Sequence, residues 1–335
     1  MSSAPDTPPT RLQRLFRRID WFIIALLGAI IVASFLPARG RGAEILDILV
    51  IAAVAWLFFL YGVRLQTTEA LAALRNWRLH SVVLACTYVL FPLLGLLTFL
   101  IPESVLPHDL VLGLVFLSLL PSTVQSSIAF VSIARGNIAG AVVAASFSNL
   151  AGVILTPLLV ALILGSTVGF SGAAVGKIAL QLLLPFILGQ IARRWLAAWV
   201  IRHKRLTSFT DRASVVLVVY SAFSQGVVGG IWSKVSVPNV LVLAGISCVM
   251  LAAMLWLSSA LGKVARFSRE DQIVVLMCGS KKSLATGVPM ATVLFGPALV
   301  GIIVLPVMIF HQIQLVVCAV IARRLGDQAE PALVA

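Results

Sequence analysis

The sequence predicts an all-α polytopic membrane protein with ten transmembrane helices. Of its 335 residues, 60% are hydrophobic and 11% are charged, whereas a soluble domain carries about 25% charged residues. The net charge of +13 does not indicate a nucleic-acid partner, because the basic residues lie in short loops rather than in one basic soluble domain. The four cysteines lie in apolar segments and indicate neither a disulfide framework nor a metal site.

We identify ten apolar segments as membrane spans, and a span needs about 20 residues to cross a bilayer. The first half of the chain contains five of them, at Trp21–Leu36, Ile45–Val63, Leu79–Ile101, Leu110–Ala134 and Ile138–Leu164. The second half contains the other five, at Ala173–Leu196, Ala213–Trp232, Val237–Leu261, Gln272–Phe295 and Ala298–Ile321. We number them spans 1 to 10 in chain order.

Basic residues in the loops predict the orientation. With a cytoplasmic N-terminus, 19 Lys and Arg residues fall in inside loops and 4 in outside loops. This bias follows the positive-inside rule, and it supports the number of spans because a missed span would scramble the alternation. We therefore expect cytoplasmic tails at residues 1–18 and 326–335. The first tail lacks the apolar core of a signal peptide.

The ten spans divide into two sets of five, residues 19–166 and 167–325. An odd number per set means that the two sets insert with opposite orientation, as in inverted-repeat transporters. The fourth span of each set is interrupted near its middle, by Pro121 in span 4 and by the run from Gly279 to Ser283 in span 9. Matching interruptions in two halves indicate a transporter binding site, although a simple kink is the alternative for each one.

Lys281 and Lys282 are the most unusual residues, because they lie together near the middle of span 9. A charge at the bilayer centre costs at least about 2.5–3.5 kcal/mol on insertion scales, so an intramembrane lysine predicts a functional role. The alternative is that the side chains only snorkel to water. Adjacent helical residues point about 100° apart, so we expect one lysine to face the site, and we favour Lys281.

Several runs resemble the bile acid:sodium symporter family, and within it the SBF-like branch that occurs in bacteria. They are Pro121 to Ser127, Ala134 to Asn137, Gly279 to Ala285, Gly287 to Pro289 and His311 to Gln314. The resemblance covers about residues 20 to 325 and implies a location in the bacterial plasma (inner) membrane. It implies that spans 3–5 and 8–10 form a core in which spans 4 and 9 unwind and cross. Spans 1, 2, 6 and 7 would form a panel, with the substrate in the crevice between core and panel.

The same resemblance predicts whether the family's sodium-binding residues are present in this chain. In sodium-coupled members a glutamate on span 9 coordinates the ion, and its position falls here on Met277. A glutamine position a turn later falls close to Lys281, and one on span 3 falls close to Thr87. Hydroxyl positions on span 5 fall close to Ala141 and Ala145. The resemblance therefore predicts that the family's sodium sites are not intact in this chain, and we expect no metal or other cofactor.

We hypothesise that the ammonium of Lys281 or Lys282 occupies the space of a sodium ion, with hydroxyl and amide partners on span 4. Such a positive site favours an anionic or amphipathic organic solute. The expected substrate- and ion-binding residues are Lys281, Lys282, Ser283, Ser280, Ser126, Ser127, Gln125, Thr123, Asn149, Ser146, His311, Gln312 and Gln225. Asn149 and Ser146 on span 5 would replace the lost hydroxyl ligands at shifted positions. Interhelical hydrogen bonding or packing is the alternative for those on spans 7 and 10.

The sequence thus predicts a secondary active transporter that moves a small organic solute across a lipid bilayer by alternating access. A proton-coupled or uncoupled facilitator, a channel and a non-transporting regulatory membrane protein are the alternatives. An enzyme is not expected, because the chain has no paired deep aspartates, no His-Glu-x-x-His motif and no Gly-x-Ser-x-Gly elbow.

Overall fold

The computed structural model describes residues 21–64, 76–168, 172–230, 235–295 and 297–328. These residues form helices joined by short loops, and none of them lies in a β-strand. The expected tail at residues 1–18 and residues 329–335 of the second tail lie outside the described residues. The helices are α1 Trp21–Phe35, α2 Arg41–Arg64, α3 Trp77–Leu100, α4 His108–Leu119, α5 Gln125–Ile133, α6 Ile138–Val168, α7 Gly172–Arg202, α8 Lys204–Val228, α9 Val237–Val264, α10 Arg269–Gly279, α11 Leu284–Leu294 and α12 Pro297–Asp327.

Within the described residues, five helices are long and apolar enough to cross a membrane, namely α2, α3, α6, α9 and α12. They also present large apolar side chains outward, such as Leu162 of α6, which is 77% exposed, and Trp256 of α9, which is 70% exposed. Apolar surface on this scale is unfavourable in water and favourable against lipid chains. The structure therefore agrees with the predicted class, an all-helical polytopic membrane protein.

Helices α1, α2, α7 and α8 form a first packed group. Helix α2 runs along α7, and glycines let the two backbones touch. A Cβ atom on Gly62 would lie 2.1 Å from the carbonyl oxygen of Phe186, and one on Gly189 would lie 2.1 Å from that of Phe59. Helix α8 packs on α1 and α2. Small residues at the contact are a common means by which membrane helices approach closely.

The remaining helices form a second packed group. Helix α4 packs on α3 and α12, α10 packs on α3, α6 and α9, and α11 packs on α12. The two groups meet where α8 contacts α11 and α12, and where α7 contacts α6 and α11. Within the described ranges, the interrupted helices belong to the second group, and the site described below lies there.

Two interruptions divide helices of the second group. Helix α4 ends at Leu119 and α5 begins at Gln125, and the intervening backbone is not helical. Helix α10 ends at Gly279 and α11 begins at Leu284. The interruptions expected near Pro121 and between Gly279 and Ser283 are therefore confirmed.

Helix α3 carries an irregularity that the sequence analysis did not anticipate. It contains a π-helical turn at Cys86–Leu90 and finishes in a tighter turn at Thr98–Leu100. A π-helical turn inserts one extra residue, and such turns occur often at functional sites. This turn faces the interrupted helices, because α10 and α4 both pack against it or its flanks.

Candidate functional site

The two interruptions touch each other. The backbone N–H of Ser283 donates to the carbonyl of Pro121 at 2.9 Å. In the other direction, the hydroxyl of Ser122 donates to the carbonyl of Cys278 at 2.6 Å. We call the non-helical residues 120–124 and 280–283 the crossover. Direct bonds between the two breaks satisfy backbone groups that would otherwise be unpaired in an apolar environment, where each costs several kcal/mol.

Lys282 lies at the centre of the crossover. Its ammonium donates to the backbone carbonyls of Thr87 at 2.8 Å and of Ser118 and Leu120 at 2.7 Å each. An ammonium has three N–H donors, so these contacts use all of them. The side chain is completely buried, at 0% exposure. We call the three acceptors the carbonyl cage.

Each carbonyl of the cage lacks a backbone N–H donor for a local reason. Those of Ser118 and Leu120 lie at the C-terminal end of α4, where the last carbonyls of a helix have no intrahelical donor. Thr87 lies in the π-helical turn, where the N–H of Phe91 bonds the carbonyl five residues back. The following residue, Pro92, has no N–H to offer. The lysine thus meets unused lone pairs at the negative end of the α4 dipole.

Two aromatic rings complete the surroundings of Lys282. Its Nζ lies 4.3 Å from the ring centre of Phe91 and 5.8 Å from that of Tyr88. A desolvated cation over an aromatic face gains about 2 kcal/mol or more. Within the described part of the chain, no carboxylate forms an ion pair with this lysine. Carbonyl dipoles and ring quadrupoles, rather than a counter-charge, balance the buried charge.

Gln314 of α12 holds the backbone of Lys282. Its side-chain amide accepts from the Lys282 N–H at 2.9 Å and donates to the Lys282 carbonyl at 2.8 Å. His311, one turn earlier, lies with its Nδ1 2.9 Å from the same amide nitrogen. The pairing replaces the helical hydrogen bonds that the break removes, so α12 fixes the direction in which Lys282 points.

The side chain of Lys281 contacts different groups from those that hold Lys282. Its Nζ donates to the hydroxyl of Ser126 at 3.4 Å and lies 4.4 Å from the ring centre of Phe130. The thiols of Cys318 and Cys278 are close enough to interact with it electrostatically. The side chain is as buried as that of Lys282, yet the described residues supply it with this one long hydrogen bond. The two lysines are therefore held very differently.

The hydroxyls of span 4 form a short chain beside the crossover. The Thr123 hydroxyl lies 2.7 Å from that of Ser126 and 2.9 Å from that of Ser127. Ser127 also donates to the carbonyl of Met277 at 3.2 Å. These residues join the start of α5 to the end of α10. Of the span 4 hydroxyls, Ser126 is the one that bonds a lysine.

Span 5 supplies the third side of the crossover. The amide of Asn149 donates to the Ser122 carbonyl at 2.7 Å and accepts from the hydroxyl of Thr286 at 2.9 Å. Ser283 caps α11 by accepting from the Thr286 N–H at 3.2 Å. Thr156 donates to the carbonyl of Leu119 at 2.8 Å. Together with the carbonyl cage, these bonds give a donor to every backbone carbonyl from residue 118 to residue 122.

Other expected site residues have no contact with either lysine side chain among the described bonds. Gln125 is exposed and Ser146 is half-buried. Ser280 donates back into its own helix, to Leu276 at 2.5 Å. Gln312 is half-buried beside the residues that do bond the crossover. Gln225 lies in the first packed group, where it donates to Asp47 of α2 at 2.7 Å.

Several residues that build the site were not predicted from the sequence. Ser118 and Leu120 act through backbone atoms, which no side-chain motif reveals, and Phe91 and Thr156 lie in apolar stretches of spans 3 and 5. One signal was present: Pro92 inside span 3 removes a backbone donor and so frees a carbonyl. Among the described residues, no group of three or more His, Cys, Asp or Glu side chains is arranged to hold a metal ion.

Comparison with known proteins assigns the family. The model of the SBF-like CPA transporter family matches residues 20–327. The chain therefore belongs to this family of membrane transporters, and the predicted resemblance is confirmed.

Three relatives illustrate the range of sequence identity to this chain. An uncharacterized protein of Pseudomonas aeruginosa is 49% identical over 318 residues, which are 94% of this chain and 96% of that protein. YfeH of Escherichia coli K12, whose name marks it as a candidate symporter, is 47% identical over 320 residues, covering 95% and 96% of the two chains. Sodium/bile acid cotransporter 7-B of Xenopus laevis is 30% identical over 319 residues, covering 92% of each.

Proposed function

We propose that this protein is a secondary active transporter that moves a small anionic or amphipathic organic solute by alternating access, without sodium at its crossover. Membership in a transporter family supports the general class. The observation that carries the proposal is the Lys282 ammonium held by three carbonyls at 2.7–2.8 Å. Oxygen ligands of this kind suit a hard cation such as sodium, and here a covalently attached cation uses them.

The architecture that we propose has ten spans in two inverted repeats, residues 19–166 and 167–325. The interrupted helix pairs α4–α5 and α10–α11 are the matching fourth spans of the repeats. The second packed group would be the transport core and the first the panel, in a bacterial plasma (inner) membrane with both termini cytoplasmic. The 19-to-4 distribution of basic loop residues supports this orientation.

In the proposed mechanism, the core moves against the panel while the crossover stays intact. Lys282 keeps the two breaks together, since its side chain joins α3, α4 and α10 through the carbonyl cage. The starts of α5 and α11 add the positive ends of two helix dipoles. An anionic group on the substrate would therefore be attracted to the face of the crossover that opens toward the panel.

In this proposal Lys281 exchanges its hydrogen-bond partner during transport, whereas Lys282 keeps its partners. It has a single hydrogen bond of 3.4 Å to Ser126, so it can take another partner without breaking the crossover. A substrate anion is one such partner. A proton-coupled cycle is the second candidate mechanism, because a lysine held this loosely can release and rebind a proton while the thiols of Cys278 and Cys318 and the Ser126 hydroxyl face it.

Transport in proteoliposomes tests the proposal. Uptake of organic anions, beginning with the bile salt taurocholate, would be recorded with an inward gradient of Na⁺, of K⁺ or of N-methylglucamine. We expect saturable uptake of at least one anion that is equal in all three salts, and that is lost or changes its ion dependence in Lys281→Gln. The exposed Lys263→Gln is the matched control and should transport normally.

Four outcomes would contradict parts of the proposal. Uptake that requires Na⁺ would refute the sodium-free crossover. Uptake unchanged in Lys281→Gln would refute the role of that lysine. A folded protein that takes up none of the anions, under any gradient, would favour the regulatory alternative, and a steady conductance without saturation would favour a channel.

A further inference from the structure

A concentration of exposed positive charge lies where α7 meets α8. Helix α7 ends at Arg202, α8 begins at Lys204, and the single residue between them, His203, makes the turn. Arg205 and Arg212 follow on the first turns of α8. We call Arg202, Lys204, Arg205 and Arg212 the basic elbow. All four side chains are exposed.

No ion pair within the described residues balances three of the four charges of the basic elbow. Among the described residues, Arg202, Lys204 and Arg205 form no ion pair. The one acidic residue on this stretch, Asp211, is paired with Arg64 of α2. Three like charges within four residues repel one another, and their positive potential attracts an anion.

The surface of the basic elbow forms an open concavity, and its lining is not purely polar. Leu206 and Phe209 line it beside the cations, and they are 50% and 68% exposed. Trp199 and Trp195 lie one to two turns before the elbow, also exposed. Tryptophans of this kind mark the boundary between lipid chains and headgroups. The basic elbow therefore offers cations and apolar side chains together.

We propose that the basic elbow binds an anionic phospholipid. The phosphate would lie against Arg202, Lys204 and Arg205, and the upper part of an acyl chain would lie along Leu206 and Phe209. Basic pockets on the cytoplasmic side of membrane proteins bind lipid headgroups in this way. A soluble anion would use the cations but leave the apolar side chains in water, so the combination favours a lipid.

Native mass spectrometry of the full-length protein in detergent tests this proposal. The protein would be titrated with phosphatidylglycerol, and with phosphatidylcholine as the zwitterionic comparison. We expect phosphatidylglycerol to bind at least tenfold more tightly, and its binding to weaken with added salt. In the triple variant Arg202→Gln, Lys204→Gln, Arg205→Gln, the affinity should fall about 10- to 100-fold, since each surface cation contributes an appreciable share of the attraction.

A matched variant separates a local site from general attraction. Lys263→Gln, Arg323→Gln, Arg324→Gln also removes three exposed cations, at the ends of α9 and α12, and should change the affinity less than threefold. Equal losses in the two triple variants would overturn the proposal, as would an unchanged affinity in the elbow variant. Leu206→Ser, Phe209→Ser should also weaken lipid binding. If inorganic phosphate displaces the lipid at equal concentration, the site recognises a free anion and the proposal is wrong.

Discussion

Replacement of Lys282 by methionine isolates the contribution of the buried ammonium. Methionine is unbranched and of similar length, so Lys282→Met removes the charge and the three donors with little change in shape. The carbonyls of Thr87, Ser118 and Leu120 then lose partners at 2.7–2.8 Å. A buried acceptor left without a donor costs about 1–3 kcal/mol, and three of them cost several kcal/mol together.

Part of this loss is recovered. Burial of an ammonium costs several kcal/mol of desolvation, and methionine has no charge to desolvate. The three carbonyls left without donors nevertheless cost about 1–3 kcal/mol each, and we expect a net loss of about 3 kcal/mol for Lys282→Met. Since 1.36 kcal/mol corresponds to a factor of ten, the folded-to-unfolded ratio should fall by more than about 100-fold.

Lys281→Met is the matched comparison. It removes a neighbouring buried ammonium of the same length, whose one hydrogen bond is 3.4 Å long, so we expect a loss of about 0.5–1.5 kcal/mol. Both variants would be unfolded in mixed detergent–SDS micelles and the free energies of unfolding compared. If Lys282→Met is as stable as the parent protein, or if Lys281→Met is the less stable of the two, the reasoning about the carbonyl cage is refuted.

Three further predictions concern other contacts. Gln314→Leu removes two hydrogen bonds to the backbone of Lys282 and should lower the free energy of unfolding by about 2–3 kcal/mol. One hydrogen bond contributes about 1 kcal/mol, so a loss below about 0.5 kcal/mol would show that Gln314 does not hold the Lys282 backbone. Gly62→Ala places a methyl group 2.1 Å from a backbone oxygen of α7 and should lower the melting temperature, whereas Gly245→Ala, which meets nothing within 4 Å, should leave it unchanged or raise it. Asp211→Asn leaves the Arg64 charge half-buried and unpaired and should be less stable than the double variant with Arg64→Gln. If the stability losses of the two single variants add up in the double variant, the pairing is contradicted.

The arrangement of the helices could be predicted because its causes are local in the sequence. Apolar runs of about 20 residues define membrane-crossing helices directly, and Pro121 or the run around Gly279 disturbs a helix wherever it lies. The π-helical turn at Cys86–Leu90 was not predictable in this way. Pro92 signals a missing backbone donor close to the turn, but nothing in Cys86–Leu90 itself indicates where the extra residue is inserted.

The candidate site was predictable in its location but not in its contacts. Lys281 and Lys282 identified the crossover because buried charge is costly, yet the sequence favoured Lys281 as the lysine facing it. The structure shows that Lys282 holds the crossover through backbone oxygens, and backbone oxygens are present at every position of every chain. Which of them lack a donor depends on where α4 ends and on the absence of an N–H in Pro92.

The covalent attachment of the Lys282 ammonium has a thermodynamic consequence. A dissociable ion fills a site according to its concentration, and the folded state then gains stability as that concentration rises. The Lys282 ammonium has no binding isotherm, because it cannot diffuse away from the three oxygens that it contacts. A sodium gradient across the membrane therefore exerts no work through this position, and any gradient that drives the protein must act on a group whose occupancy is free to change.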